Sequence, residues 1–395
     1  MPGPPIALPD PLLSVTRRLE DAGHPSYLVG RCVRELLAGD EPVEFEIATE
    51  AAPEAILRLF PAAVVTAVDA RRISLPTAVG PVDLIRISTP EGIETDLRQR
   101  DFRVHAVAYR PRDDRWIDPA DGRVDLARGR LRTPRPAAES LAADPLRALR
   151  AARLVSELGL ETDPELEAAM HEIAPVFEKL GGRRVRVEID ALLVGPHVKV
   201  ALELLERTRI GVSLAPGAAR NVAAIVSRLP CDLELRLAAW LCGAPVRATL
   251  RRLRCPRDRA VRIERMLQMH PIDAGTRAAR EARARRLARR SEAERNALIA
   301  LRTAELDAGP VDARARGRFE HLIGCLARAQ RAEEQSRRRA TLAIDGRTVM
   351  ARLGCGPGAR VGSALRFLAE QIERDPSQNQ PDVLLALLDA WPRDS

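Results

Sequence analysis

Tyr27-Leu28-Val29-Gly30-Arg31-Cys32-Val33-Arg34-Glu35-Leu36-Leu37, then Gly39 and Glu44-Phe45-Glu46-Ile47-Ala48-Thr49, is the stretch that decides the fold. Tyr27 to Val29 is a β-type run, Gly30 supplies a turn, and Val33 to Leu37 carries a helical pattern. Glu44 to Ile47 alternates charged and apolar residues, which reads as a second strand. Alternate residues of a strand face the same way, so Glu44 and Glu46 are expected to point together, with Phe45 toward the core. Two carboxylates on one face offer hard oxygen donors for Mg2+. A two-metal arrangement there would stabilise both the attacking and the leaving oxygen of a phosphoryl displacement. The same alternation also suits the solvent face of an edge strand. A glycine turn ahead of a helix offers N–H groups to a phosphate.

Working outward, Val64 to Thr66, Val82 to Ile85 and Val104 to Tyr109 are further β-type runs, and Pro53 to Phe60 is helical. Pro53 sits at a helix start, where its missing N–H costs nothing, and Glu54 suits the dipole there. Strands mixed with helices make this first part of the chain an α/β or α+β domain. From Leu141 the pattern is helical, with Leu146, Leu149, Leu154 and Leu158 at three- to five-residue spacing. Expected divisions are a mixed strand-and-helix domain at 1–137 and helical segments at 138–195, 196–320 and 321–395.

The 395 residues are 46% hydrophobic and 30% charged, a globular composition. Aromatics are only 3%, which argues against aromatic stacking platforms for single strands. No apolar run approaches the ~20 residues of a membrane span, and Met1 to Pro11 does not read as a signal peptide. The net charge is +8, and Lys179 and Lys199 are the only lysines. Arginine grips phosphate bidentately, so this bias fits a polyanion partner; it fits a GC-rich genome equally well. Arg277 to Arg290 reads as an Arg/Ala/Glu helix, either a solvated face or an RNA-facing stripe. Six scattered cysteines without a paired spacing suit free thiols in a reducing cytoplasm.

The opening stretch resembles the tRNA nucleotidyltransferase/poly(A) polymerase family, the class II, CCA-adding-enzyme-like branch of the DNA polymerase beta superfamily. It follows that family's L-V-G-G-x-V-R-D-L-L-x-G and D-F-D-I-A-T segments. Asp96 to Tyr109 is similar to D-L-x-R-R-D-F-T-x-N-A-x-A-Y, and Asp118-Pro119 with Gly122 and Asp125-Leu126 to D-P-x-G-G-x-x-D-L. Asp144 to Arg153 is similar to E-D-P-L-R-x-L-R-A-x-R-F, and Ile344 to Asn379 to the family's tail pattern. The resemblance implies an α/β nucleotidyltransferase head followed by an all-α neck, body and tail. It implies Mg2+-dependent addition of nucleotides from ATP and CTP to an RNA 3′ end, tRNA above all. By that resemblance Glu44 and Glu46 stand at the metal carboxylates and Asp83 is the third carboxylate. Gly30, Arg31 and Arg34 belong to the triphosphate turn and its helix, Arg100 and Asp101 to a nucleotide-binding motif, and Asp144 and Arg147 to base recognition.

The departures fall on the chemistry. Arg31 replaces a glycine that the backbone needs beside phosphate, and Glu35, Glu44 and Glu46 replace aspartates. Gln99, Arg103, His105 and Ala143 replace Arg, Thr, Asn and Glu. The family's H-G-T turn is not visible around Arg71 to Thr77, and Ser88 to Thr95 is short for the family's flexible loop. Trp240-Leu241-Cys242-Gly243 stands where some relatives carry His-Asp, so a fused phosphohydrolase is not expected. Scaffold positions such as Phe45, Ile47, Phe102, Leu146 and Leu149 keep the pattern. Two functions follow: an altered, working nucleotidyltransferase, or a catalytically inactive RNA-binding member. His105 reads either as a general base or as a satisfied core residue on a strand.

Overall fold

The computed structural model of the chain describes residues 7–66, 72–87, 92–219, 221–310, 312–340 and 342–391. It divides into two compact units, Met1–Glu264 and Arg265–Ser395.

The first unit opens with α1 (Asp10–Asp21), β1 (Ser26–Val29), α2 (Arg31–Ala38), β2 (Phe45–Thr49) and α3 (Pro53–Leu59). Then come β3 (Val64–Val65), β4 (Arg72–Thr77), β5 (Gly80–Arg86), α4 (Ile93–Arg98), β6 (Ala108–Arg110) and β7 (Arg115–Ile117). The seven strands form one mixed sheet in the order β3-β4-β5-β2-β1-β6-β7. Only β2 and β5 run parallel; Glu46 pairs with Asp83 and Phe45 with Val82. Strand alternation separates two faces. Leu28, Phe45, Ile47, Ile73, Leu75, Val82 and Leu84 pack in one cluster with Leu12 and Leu19 of α1, Val33 of α2 and Ile56 of α3. Tyr27, Val29 and Ala48 pack in a second cluster with Ile93 and Leu97 of α4. Glu46, between Phe45 and Ile47, therefore lies on the α4 side of the sheet, and Asp83, between Val82 and Leu84, lies beside it.

The strand expected over Val104 to Tyr109 is corrected. Arg103–His105 is a 3₁₀ turn and the strand begins at Ala108, so His105 is not a strand residue. Arg72–Thr77, unassigned in the sequence reading, is a strand paired antiparallel to β5 with Ser74 opposite Asp83. Ser88 to Glu91 lies outside the described residues, so the expected shortness of that loop has no structural counterpart here.

Next follow α5 (Gly122–Ala127), β8 (Arg130–Leu131), α6 (Ala137–Ala143), α7 (Leu146–Leu158), β9 (Glu161–Thr162), α8 (Pro164–Ile173) and α9 (Arg183–Val194), and further helices to Arg252. β8 and β9 make a short parallel ladder. The Asp118-Pro119…Gly122…Asp125 segment is explained by local bonding. The Asp118 carboxylate accepts the N–H groups of Gly122 at 2.7 Å and Arg123 at 3.0 Å, which begin α5. A Cβ on Gly122 would stand 1.9 Å from the Arg103 carbonyl oxygen. Gly122→Ala is expected to cost about 2 kcal/mol or more, read as a lower urea midpoint. Of the expected leucine face on α7, Leu146, Leu149 and Leu154 are buried, whereas Leu158 at the helix end is 36% exposed.

The second unit holds helices Arg277–Ala288, Glu292–Ala308 and Ala313–Ala340 around Ile272, Leu287, Leu298 and Leu322. Gly346–Leu353, Ala359–Arg374 and Pro381–Asp389 surround Val349, Leu368 and Leu384. Asn379 accepts the Ala343 N–H at 2.8 Å, which ties the start of this subdomain to its end. Residues 320 and 321, where one division is expected, lie within the Ala313–Ala340 helix. No described helix is long and apolar enough to cross a membrane.

All six cysteines are free thiols. Burial pushes the Cys32 thiol up to about 11, whereas Cys231 is exposed. Iodoacetamide at pH 8 is expected to label Cys231 and spare Cys32 in the folded chain, as mass spectrometry of peptides would show.

Candidate functional site

Residues from separate segments converge on one cavity of ≈ 580 Å³ within the first unit. Its lining includes Gly30, Arg31, Glu46, Arg72, Arg100, Asp101, Asp144 and Arg147. The Gly30 turn forms one wall. Gly30 has φ 75° and ψ −137°, a region that L side chains rarely enter, and caps α2 without a side-chain bond. A Cβ there would stand 2.4 Å from Glu46 Oε2 and 3.3 Å from Arg100 Nη1. The turn, the β2 carboxylate and the Arg100 guanidinium are thus packed around a bare backbone. The first-turn N–H groups of α2 are intrahelically unpaired by construction, as phosphate cradles are.

The cavity is lined mostly by charge. Arg31, with its side chain 56% exposed, pairs with Glu35 one helical turn on. Arg34 is buried and donates from Nη1 to His105 Nε2 at 3.0 Å. An arginine only donates, so His105 Nε2 accepts, and Nδ1 faces Asp101 Oδ1 at 3.2 Å. Arg150 holds the other Asp101 oxygen at 2.9 Å. Burial alone would raise the Asp101 carboxyl; the facing His105 and Arg150 outweigh it and hold it far below the usual carboxylate range. His105 is therefore part of an Arg34–His105–Asp101–Arg150 chain, of which Arg34 is buried and the other three are partly buried. Arg150 and Arg153 meet Glu188 of α9 at 3.5 and 2.7 Å, which ties α7 to α9 beneath the cavity.

Asp144 and Arg147 both line the cavity but do not bond each other through their side chains. Asp144 accepts the Leu146 N–H at 3.1 Å and pairs with Arg184 at 3.0 Å. Arg147 donates to Ser140 Oγ at 2.7 Å and to the Gln99 carbonyl at 3.0 Å, and burial pushes its pKa down.

Glu44 and Glu46 differ in placement. Glu46 is on β2, half-buried; Glu44 precedes the strand and is exposed. Glu44 lies near enough to Arg31 to help raise its pKa. Asp83 pairs with Arg72 at 2.8 Å, and Arg72 also pairs with Glu46 at 3.1 Å. Arg72, Arg150, Arg153 and Glu188 are among the cavity residues that the sequence reading missed. Ile73 and Leu75, alternating with Arg72 and Ser74 ahead of Gly80, were the available signal for the strand carrying Arg72.

In the Arg277–Ala288 helix, Arg280 and Arg283 turn back onto backbone carbonyls of the preceding loop, between Pro271 and Gly275. Arg277 pairs with Glu281, while Arg285 and Arg286 are exposed.

Three comparisons bear on this arrangement. Residues 159–221 match the family model described as "Probable RNA and SrmB- binding site of polymerase A". The CCA-adding enzyme of Geobacillus stearothermophilus is 32% identical over 261 residues, 60% of this chain and 61% of that protein. The CC-adding tRNA nucleotidyltransferase of Shouchella clausii is 34% identical over 192 residues, 49% of this chain and 50% of that protein. The chain thus spans between half and three-fifths of the length of the curated relatives it matches. In fold, the Bacillus stearothermophilus CCA-adding enzyme in complex with CTP aligns over 96% of each chain, with TM-score 0.64 and 24% identity. The Thermotoga maritima CCA-adding enzyme complexed with tRNA aligns over 97% of this chain and 96% of that one, with TM-score 0.65 and 19% identity. The sheet, the cavity gathering the Gly30, Arg100–Asp101 and Asp144–Arg147 segments, and these likenesses agree: over the matched spans the chain is similar to CCA-adding enzymes and CC-adding tRNA nucleotidyltransferases, and it shares the CCA-adding-enzyme fold.

Proposed function

We propose that the chain binds a nucleoside triphosphate, CTP or ATP, in the head cavity and adds its nucleotide to the 3′ end of an RNA, tRNA in the first instance. The observation that carries this reading is the convergence of the Gly30 turn, Glu46, Arg100, Asp144 and Arg147 on one cavity of ≈ 580 Å³. In the reaction the RNA 3′ hydroxyl gives up its proton to solvent and its oxygen bonds the α-phosphorus, while the α–β bridging bond breaks and pyrophosphate leaves. Such a transfer depends on positioning and on charge neutralisation. Arg31, Arg100 and the bare Gly30 turn are placed to take the phosphates. Asp144 and Arg147 offer an acceptor and donors to a base edge, once their present partners Arg184 and the Gln99 carbonyl are exchanged. RNA would lie against the matched segment 159–221. The head, neck, body and tail divisions remain our reading of the chain.

Mg2+ is the cation the family implies, and curated relatives of this kind transfer nucleotides to tRNA. Glu46 and Asp83 have the oxygen donors that a hard cation takes. As they stand they do not fit one: both are bonded to Arg72, and Glu44 is exposed ahead of the strand. The same contact favours a second reading, a member that binds nucleotide and RNA without transfer.

Nucleotide binding and transfer separate the two readings. The first expects labelled CTP or ATP to be incorporated into tRNA lacking its 3′ CCA; the second expects binding with no incorporation. In either case RNA affinity is expected to fall as a steep power of salt concentration, measured by filter binding between 50 and 200 mM salt on the general scale for phosphate contacts. Flat salt dependence would remove RNA as the partner.

A further inference from the structure

We propose that Arg72 is a built-in cation at the carboxylate pair of this site, an intramolecular competitor of divalent metal ions. The sheet register makes the case. Glu46 and Asp83 are direct neighbours on the parallel strands β2 and β5. Ser74 of β4 lies opposite Asp83, so Arg72, two residues back, shares that face one position along the diagonal. A long side chain spans such a diagonal, and Arg72 does so with both terminal nitrogens. Nη1 donates to Asp83 Oδ2 at 2.8 Å and Nη2 to Glu46 Oε1 at 3.1 Å.

Two like charges held side by side need a cation between them. A divalent ion would meet this need with oxygen ligands. Here one guanidinium meets it, using the fork that matches two carboxylate oxygens. Its charge does not titrate in the working pH range, so the counter-ion is permanent. A metal ion entering between Glu46 and Asp83 must displace two charge-assisted hydrogen bonds and tolerate a nearby positive charge. The Arg72 side chain is 47% exposed, so it is free to swing away, and the competition is reversible. The inference rests on reading the Glu46–Asp83 face as the cation position of the proposed function.

Mn2+ binding to the full chain, without nucleotide or RNA, tests it by the loss of the free-ion EPR signal. The wild-type chain is expected to bind weakly. Arg72→Ala is expected to bind one Mn2+ roughly tenfold more tightly, the order that removing one adjacent positive charge gives in a solvated site. The gain should vanish in Arg72→Ala/Asp83→Asn. Arg72→Gln, which keeps length and polarity, serves where the alanine variant does not fold, and should show the same gain. Equal affinity in wild type and both Arg72 variants would overturn the proposal, as would a gain that survives loss of Asp83. Because no transfer is measured, failure here leaves the proposed transfer standing, and absence of transfer leaves this competition standing.

Discussion

Asp101→Asn is expected to destabilise the first unit by about 3 kcal/mol at pH 7, the scale for removing one charge of a buried pair. The carboxylate receives His105 and Arg150, and its side chain is only 12% exposed. Asparagine keeps the size but removes the charge, leaving Arg150 with its longer contact to Glu188 at 3.5 Å. Urea unfolding of the full chain, followed by circular dichroism, reads this as a lower midpoint. The pH dependence has a definite sign. The folded-state pKa is depressed, so the carboxylate contributes stability that is fully present above its unfolded value of about 4. That stability is lost as pH falls from there toward the folded value, well below the usual carboxylate range. Wild type should therefore lose its advantage over Asp101→Asn progressively on acidification below about pH 4. A constant difference across that window would show that Asp101 acts through shape and not charge.

Gly30→Ala is the second large effect, and it acts on both stability and ligand binding. The backbone at φ 75° and ψ −137° costs any L residue about 1–3 kcal/mol. The new Cβ would also meet Glu46 Oε2 at 2.4 Å, so either the turn or the carboxylate must move. Both belong to the cavity wall. Affinity for CTP, followed by equilibrium dialysis, should fall at least about tenfold, equivalent to losing one charge-assisted contact. Gly39→Ala is the control: it also has positive φ, 82°, but nothing stands within 4 Å of its Cβ position. It should cost stability while leaving CTP affinity unchanged. If both variants bind CTP like wild type, the Gly30 turn is not the phosphate wall.

The strands β1, β2 and β5 and the helices α2 and α3 were legible because burial and periodicity agree there. Leu28, Ile47 and Leu84 are fully buried; Leu28 sits in an apolar run, and Ile47 and Leu84 at alternating positions beside Glu46 and Asp83. β4 was not legible because Pro76 interrupts the short alternation of Arg72, Ile73, Ser74 and Leu75. Val104 to Tyr109 looked like a strand because its residues are apolar. Val104, Ala106 and Val107 are indeed buried, but Arg103–His105 is turned by local i→i+3 bonds such as Ala106 N–H to the Arg103 carbonyl.

The site was legible as a set of residues and not as a set of bonds. Gly30, Glu46, Arg100, Asp101, Asp144 and Arg147 do line one cavity. Their partners come from long-range register and helix packing, which a linear sequence does not display. Arg72 reaches Glu46 across 26 residues, Arg150 reaches Asp101 across 49, and Arg184 reaches Asp144 across 40. In an arginine-rich chain almost any carboxylate has a plausible partner, so the sequence could not tell which guanidinium fills which place.

The most direct measurement of the proposed function is incorporation of labelled CTP and ATP into tRNA lacking its 3′ CCA, with Mg2+ present. The control is Glu46→Ala/Asp83→Ala, checked for folding by circular dichroism and for tRNA binding. Incorporation by the wild-type chain, lost in the folded, tRNA-binding control, is the predicted result. No incorporation by a wild-type chain that binds tRNA, or incorporation undiminished in the control, would contradict nucleotidyl transfer at this site.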